Sequence, residues 1–324
     1  MTNALSAVTG AEISLVIPIS NEATTLPQLL AAIAAQTCSP REVIVVDSAS
    51  ADGSAAVVER WAVQNGYGKQ RCRVISNPGG MPGANRNRGV AEATGGWIAF
   101  LDGGIVPEPD WLARLCDCAG VTGSKAVFGQ CRFDADSVFE KAVCALSNGC
   151  GAVHPVLPAS LFHRSVFECA GGFREDLRSA EDLLWLREVE RHYGPRIVCE
   201  GALVHYRHFP ANVSIAANKW WLYEQNSVRA GLRSGQQWML VGFFTALLLS
   251  FLTLPWLGVA LLMAYLIVRG VFDPMRRSGR VFWWGSQPLA AAIALGLGIV
   301  LDGAKTLGGL AARLRRLREG KHAA

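Results

Sequence analysis

The sequence predicts an α/β fold in which an open, doubly wound sheet is followed by a block of apolar helices. Three observations carry that expectation. Over the first two thirds of the 324 residues, short apolar runs alternate with stretches whose apolar residues recur at helical spacing. A polar or glycine-rich loop stands at each handover from run to helix, the pattern of β-loop-α units winding a mostly parallel sheet. After Gln237 the composition changes, and long apolar stretches separated by arginine-bearing segments take over.

The first strand is expected over Ile13–Ile17, stopping at Pro18. Ile19-Ser20-Asn21-Glu22 is the loop, and Leu26, Leu29, Leu30 and Ile33 mark one face of the next helix, with Asn21 or a nearby threonine as its N-cap. The second strand, Glu42–Val46, ends on Asp47; a polar loop follows, and a helix runs to about Gln64. Of the two loop acids, Asp52 before Gly53-Ser54 suits capping, which leaves Asp47 for a ligand. A third strand, Arg73–Ser76, leads into Asn77-Pro78-Gly79-Gly80-Met81-Pro82-Gly83, an irregular loop that opens a helix carrying Arg86. A guanidinium beside helix-end N–H groups suits a phosphate or a carbonyl edge.

The central strand is Trp97–Leu101, apolar throughout and so buried on both faces. Asp102 stands at its end, and Gly103-Gly104 let the chain turn sharply. Ligands of open α/β sheets bind beyond the carboxyl ends of the strands, so Asp102 either caps this turn or meets a ligand. Farther on, Phe128–Phe133 reads as a strand, Asp134–Leu146 as a helix, Cys144–Pro155 as loop and Leu161–Phe167 as part of a hairpin-like run. Glu181-Asp182 opens a helix to about Tyr193, with Leu183, Leu184, Leu186 and Val189 at its apolar positions. Adjacent acids at a helix start satisfy the helix dipole, and two neighbouring carboxylates also raise one pKa, which suits proton abstraction.

Composition narrows the class. The chain is 51% hydrophobic and only 18% charged, too apolar for an ordinary soluble protein, with the excess after Gln237. Net charge is +5, with arginines gathered in the C-terminal third. Basic segments beside apolar stretches point to an anionic membrane surface; without aromatic–basic interleaving they do not point to nucleic acid. Nine cysteines without Cys-x-x-Cys or metal spacing imply mostly buried thiols in a reducing cytosol. Met1–Gly10 lacks a basic flank and an apolar core, so no secretory signal is expected there and the first domain should stay cytoplasmic.

Taken in order, several pieces resemble a family 2 glycosyltransferase of the GT-A fold, a Rossmann-like nucleotide-diphospho-sugar transferase domain. They are Val16–Glu22, Val46-Asp47 with Asp52-Gly53-Ser54, Arg86-Asn87-Arg88-Gly89, Phe100-Leu101-Asp102 with Pro109-Asp110-Trp111-Leu112, Ala170-Gly171-Gly172-Phe173, Ala180-Glu181-Asp182 and His205–His208. The resemblance covers roughly the first two thirds of the chain. It implies a nucleotide-sugar donor held by Pro18, Ile19, Ser20, Glu22, Asp47, Arg86 and Asp102. It also implies Asp182 as general base, with Glu181 positioning the acceptor. The chain departs from the family pattern twice. Asn85 stands where a small residue usually precedes the arginine, and Gly104 replaces the second carboxylate of Asp-x-Asp, which binds Mn²⁺ or Mg²⁺. Asp102 alone still offers one carboxylate, and His205 or His208 is either a further metal ligand or an ordinary strand-end histidine.

Asn218–Arg229, with Trp220, Trp221 and Tyr223 beside Lys219 and Arg229, reads as an amphipathic helix at a membrane interface. Trp238–Val268 is one kinked span or a hairpin of two short helices interrupted at Pro255. The hairpin is favoured because it returns the basic Arg276–Arg280 loop to the cytoplasm. Phe282–Leu301 either spans or lies in the interface. The expected organisation is a tail over 1–11, a GT-A domain over 12–212, an interface helix over 213–236, transmembrane segments over 237–304 and a basic tail over 305–324. The function implied is an inverting transferase on the inner membrane, its catalytic domain facing the cytoplasm. It would move sugar from a UDP-sugar to a lipid-linked or cell-envelope glycan. The rival is a transferase-like scaffold without turnover. A polymer-extruding synthase is disfavoured by the short apolar region and the missing Gln-x-x-Arg-Trp.

Overall fold

The apolar runs pair into one nine-stranded mixed sheet. The structure, a computed structural model, describes residues 8–232, 234–279 and 282–322. Most of the expected N-terminal tail, Arg280 of the basic loop and the last two residues of the basic tail lie outside the described residues. In chain order the elements are β1 (Ile13–Ile19), α1 (Leu26–Ala34), β2 (Glu42–Asp47), α2 (Ser54–Gln64), β3 (Cys72–Ser76), α3 (Pro82–Glu92), β4 (Trp97–Phe100), β5 (Ile105–Pro107), α4 (Trp111–Thr122), β6 (Ala126–Phe133), α5 (Val138–Ser147), β7 (Val153–Pro155), β8 (Leu161–His163), α6 (Ser165–Ala170), α7 (Glu181–Tyr193) and β9 (Ile197–Tyr206). Strands run in the order β3-β2-β1-β4-β8-β6-β9-β5, with β7 paired to β6. The first four are parallel and form the doubly wound half; β8 joins β4 antiparallel.

The strand residues explain the layering. Every residue of β2 and β4 is buried, as helices on both faces of a parallel sheet require. Phe100, Phe128, Phe162, Phe173 and Trp185 join one core cluster, and Trp185 Nε1 is satisfied by the Gly171 carbonyl at 2.8 Å. β1 runs two residues farther than expected, through Pro18 to Ile19. Val16 offers its carbonyl toward β4 and Ile19 toward β2, so alternation aims the missing N–H of Pro18 at the β4 side. The β1–β4 ladder has already ended there, at Val16↔Phe100, so no bond is lost. The run after β8 becomes the short helix α6 instead of continuing a hairpin.

One pair of cysteines departs from the expected free thiols. Cys118 of α4 and Cys199 of β9 form a disulfide, with Cα atoms 6.0 Å apart. α4 lies against β9, and this brings together residues 81 apart in the chain. The other seven remain thiols, four of them buried.

The chain divides into two units. The first runs up to Arg132 and resumes over Val153–Tyr206; the second comprises Phe133–Ala152 and everything from Arg207. This differs from the contiguous domain expected over 12–212. The reason lies in α5, whose Ala142–Leu146 face is buried and whose C-terminal carbonyls are capped from the distal helices. Arg269 Nη1 donates to Leu146 O at 3.1 Å and Arg277 Nη1 to Ser147 O at 2.7 Å.

The second unit continues with α8 (Val213–Arg229), α9 (Ser234–Thr253), α10 (Pro255–Ile267), a π turn at Val268–Phe272, α11 (Asp273–Ser278), α12 (Trp283–Ser286) and α13 (Pro288–His322). Phe243 stacks on Tyr265 with ring centroids 5.1 Å apart. A continuous helix would separate residues 22 apart by about 33 Å, so the chain reverses at Leu254-Pro255. The reversal is tight, because Gly258 packs against Phe251 where a Cβ would lie 2.8 Å from the ring. α9 and α10 are therefore a helical hairpin, the alternative favoured from the sequence. Two helices, Pro255–Ser278 and Pro288–Arg318, are long and apolar enough to cross a membrane.

Candidate active site

Three parallel strands deliver the loops of the site to one edge. Ile19 pairs with Asp47, and Leu101 N–H donates to Val16 O, so β1, β2 and β4 end side by side. Pro18–Glu22, Asp47 and Asp102 lie at those ends, at the place where ligands of such sheets bind. Ile19 and Asp47 are buried, while Ser20 is exposed. Ile19 therefore presents backbone, and Ser20 presents its hydroxyl.

The first two loops are stitched to each other. Asn21, in the left-handed region at φ 57°, donates its N–H to Ser50 Oγ at 2.8 Å and accepts from Ala51 N–H at 3.0 Å. Glu22 N–H reaches Ser54 Oγ at 2.8 Å, and Ala23 N–H reaches Asp52 at 2.9 Å. Asp52 also accepts from Ser54 N–H at 3.0 Å, the structural role read for it. Asn21 is thus a loop staple and not the helix cap. Asp47 accepts from Ser50 N–H at 3.1 Å and Ser50 Oγ at 2.5 Å, so its carboxylate shapes the loop beside the pocket edge.

Asn85, the departure before the arginine, turns out to be another staple. It donates to Ser48 Oγ at 2.6 Å and accepts from Asn77 Nδ2 at 2.8 Å, tying the Gly/Pro-rich loop to the end of β2. Asn87 does the same on the other side: it bonds Phe173 O and N–H at 2.9 and 2.8 Å and Glu175 at 2.8 Å. Nothing in the sequence assigned roles to these two asparagines, because their partners lie 8 to 88 residues away.

Arg86 is the centre of the arrangement. It is 4% exposed, and its Nη2 meets Asp102 at 2.8 Å while Nη1 meets Glu181 at 2.6 Å. Its guanidinium also lies 5.7 Å from the Phe173 ring centre. Burial works against the guanidinium charge, but Asp102, Glu181 and Asp182 outweigh it and its pKa is raised. Glu181 is equally buried, and burial pushes its carboxyl up despite Arg86. Its Oε2 has no hydrogen-bond partner among the described residues. Asp182, one residue on, is only half-buried; its Oδ1 accepts from Leu183 N–H at 2.8 Å. The left-handed Ala180 at φ 72° sets the turn that starts α7 with both acids. The arginine read from the sequence as a donor contact is thus also the link between Asp102 and the Glu181-Asp182 pair.

The metal ligands expected at Asp102 and His205 lie on either side of β5 in the chain. His205 bonds Glu108 at 3.1 Å beyond the end of β5, whereas Asp102 precedes that strand. His208 follows the end of β9, in the other unit. Among the described residues no three His, Cys, Asp or Glu side chains converge as a metal site. Asp102 supplies one carboxylate, with Arg86 on its Oδ1. That donor set fits Mg²⁺ held mainly by phosphate and water, which needs only one or two protein carboxylates.

Comparison with known proteins bears on the family and the fold. Residues 14–178, just over half the chain, match the model of Glycosyl transferase family 2. The chain belongs to glycosyl transferase family 2. Among relatives of this family 2 chain, glycosyltransferase AglE of Haloferax volcanii is 32% identical over 123 residues, 37% of this chain and 40% of that protein. The succinoglycan biosynthesis protein ExoO of Rhizobium meliloti is 34% identical over 117 residues, 35% of this chain and 31% of that protein. The match thus spans less than half the length of these relatives. The mannosyltransferase PcManGT from Pyrobaculum calidifontis, solved with GDP-Man and Mn²⁺, shares the fold. Its TM-score is 0.54 at 18% identity, covering 91% of this chain and 87% of that one.

Proposed function

We propose that this family 2 domain transfers a sugar, with inversion, from a UDP-sugar to a hydroxyl of a lipid-linked or cell-envelope glycan, while attached to the cytoplasmic face of the inner membrane. The observation that carries the proposal is the buried Arg86 bridge, which ties Asp102 at the strand edge to the acid pair on α7. Donor-side and acceptor-side groups then belong to one preorganised unit. Asp47 and the Pro18–Glu22 loop hold the base and ribose, with Asp47 accepting from N–H or hydroxyl donors. Glu181 is committed to Arg86 through Oε1, which leaves Asp182 as the acid open to an incoming acceptor. Asp182 takes the acceptor hydroxyl proton, the oxygen attacks C1, and the C1–O bond to the diphosphate breaks with its electron pair. Mg²⁺ or Mn²⁺, held by Asp102, would supply positive charge to the diphosphate. Membrane attachment is supported by the two long apolar helices and by the hairpin of α9 and α10.

The test uses the full chain in detergent with a panel of nucleotide sugars and a lipid-phosphate-linked acceptor. UDP-sugar turnover is expected, and Asp182→Asn should lower transfer by about two to four orders of magnitude, the usual cost of losing a general base. Donor affinity should barely move, since the amide keeps the shape and the donor contacts lie on the sheet edge. Glu181→Gln should be milder in rate. Near wild-type turnover in Asp182→Asn with loss in Glu181→Gln would reverse the two roles. Absence of turnover with every nucleotide sugar would favour the scaffold reading.

A further inference from the structure

We infer that the α9–α10 hairpin is re-entrant: it dips into one leaflet and returns, while α13 lies along the membrane surface and crosses nothing. This rests on the membrane attachment proposed above and specifies its form. Three independent features of the second unit lead there.

The first is length. No charged residue occurs between Trp238 and Val268, and the reversal at Leu254-Pro255 splits this run into legs of 16 and 14 residues. At 1.5 Å per residue the legs reach about 24 and 21 Å. The hydrocarbon core is about 30 Å thick, so the turn stops short of the far headgroups. The turn also suits hydrocarbon. Leu252, Leu254 and Trp256 are exposed apolar side chains. Leu254 N–H bonds Ser250 O at 2.8 Å, Pro255 has no N–H, and Ser250 and Thr253 hydroxyls donate back to Ala246 and Leu249 carbonyls at 2.7 and 2.9 Å.

The second is the direction of α13. Residues near Gln237 and Gly270 are the two feet of the hairpin, since Phe243 faces Tyr265 and Phe251 faces Gly258. A third helix running along the legs would meet both feet at one level of its own axis. α13 meets the Gly270 foot at Leu295 and Asp302, the latter through Arg269 at 2.8 Å and Tyr265 at 2.9 Å. It meets the other foot much later: Gly309 against Gln237, and Arg313 with its guanidinium 5.0 Å from the Trp238 ring centre. These levels are separated by roughly 15–20 Å along α13, so the helix passes across the open end of the hairpin.

The third is charge. The uncharged part of α13, Pro288–Leu301, is 14 residues or about 21 Å, too short to span. Asp302 and Lys305 follow at once, bonded to each other at 3.1 Å, and a spanning α13 would carry them deep into the core. Instead α13 is two-faced. Ala290, Ala294, Leu297 and Leu301 are buried in protein, whereas Leu289, Val300, Leu307 and Leu314 are exposed. α8 lies beside it with Lys219 5.6 Å from the Tyr223 ring centre, an aromatic–cationic pairing typical of the interface.

The experiment places thiols in the full chain in sealed membrane vesicles and labels them with a membrane-impermeant maleimide. The exposed native Cys169 reports the side of the sheet-bearing unit. The thiol introduced by Leu317→Cys should label together with Cys169, from one face only. The thiol introduced by Thr253→Cys should label from neither face until detergent is added. Labelling of Thr253→Cys from the face opposite Cys169 would mean that the hairpin crosses. Labelling of Leu317→Cys from that opposite face would mean that α13 crosses, and labelling of Thr253→Cys beside Cys169 would mean that the hairpin is not inserted. Each overturns the inference. Release of the whole chain by alkaline carbonate would mean that no segment is inserted and would overturn the inference, whereas recovery of the chain outside the membrane fraction before that wash would sink membrane attachment itself.

Discussion

At the scale of single residues, the sheet domain holds one buried carboxylate that several partners satisfy. Glu42 is 2% exposed, yet it accepts from Ser14 Oγ at 2.7 Å, Thr94 N–H and Oγ1 at 2.7 and 2.6 Å, and Arg73 at 2.6 Å. Burial pushes this carboxyl up, but the Thr94, Ser14 and Arg73 contacts outweigh it and hold the pKa below the ordinary 4.5. A carboxyl depressed on folding stabilises the fold above its unfolded pKa and loses that contribution as pH falls through the folded value. Glu42→Gln should therefore lower the urea midpoint at pH 7, and the gap to wild type should close on acidification below about pH 4.5. A gap independent of pH would refute the charge argument. Asp47 makes a second case. Asp47→Ala should weaken UDP binding in calorimetry, but part of the loss would come from freeing Ser50 and the Asn21 loop. Ser50→Ala removes only that part, so it should cost less affinity; equal losses would make Asp47 purely a loop residue. The acids and Arg86 were legible in the sequence as motif pieces. Their mutual geometry was not, because the Arg86–Glu181 contact joins residues 95 apart.

At the scale of elements, close backbone approach decides how α3 seats on β1. A methyl group at Gly89 would lie 2.3 Å from Val16 Cγ1. Gly→Ala inside a helix gains about 1 kcal/mol of propensity, while overpacking a core costs about 1–3 kcal/mol. The clash should win, so Gly89→Ala should lower the melting temperature, and the penalty should shrink in a Val16→Ala background. A stabilised Gly89→Ala would show that α3 can move away without cost. Periodicity located most elements because each carries its own start and stop. α7 was read with both ends, since Glu181-Asp182 open it and Gly194 at φ 81° closes it. What failed was anything set by a partner. β1 passes Pro18 only because the neighbouring ladder has ended, and Cys118 finds Cys199 only because α4 lies on β9.

At the scale of the whole chain, the boundary between sheet and apolar helices is not a point in the sequence. Composition changes after Gln237, which suggests that cutting after about Gly235 would release a self-sufficient sheet domain. The structure argues otherwise. α5 interrupts the first unit, yet its partners are α11 and α13, and two arginines more than 120 residues away cap its end. Truncation at that point would uncover Val143 and Leu146, both at most 1% exposed in the full chain. A buried Val or Leu side chain is worth about 1.5–3 kcal/mol, so the truncated chain should melt at lower temperature and self-associate in size-exclusion chromatography. The double change Val143→Lys and Leu146→Lys should reverse the association in the truncated chain, because the face is then solvent-exposed. In the full chain the same pair should destabilise strongly, because two charges enter an apolar contact beside Arg269. A truncated chain that is monomeric and melts with the full one would mean that α5 needs no cover, and the sequence-based boundary would stand.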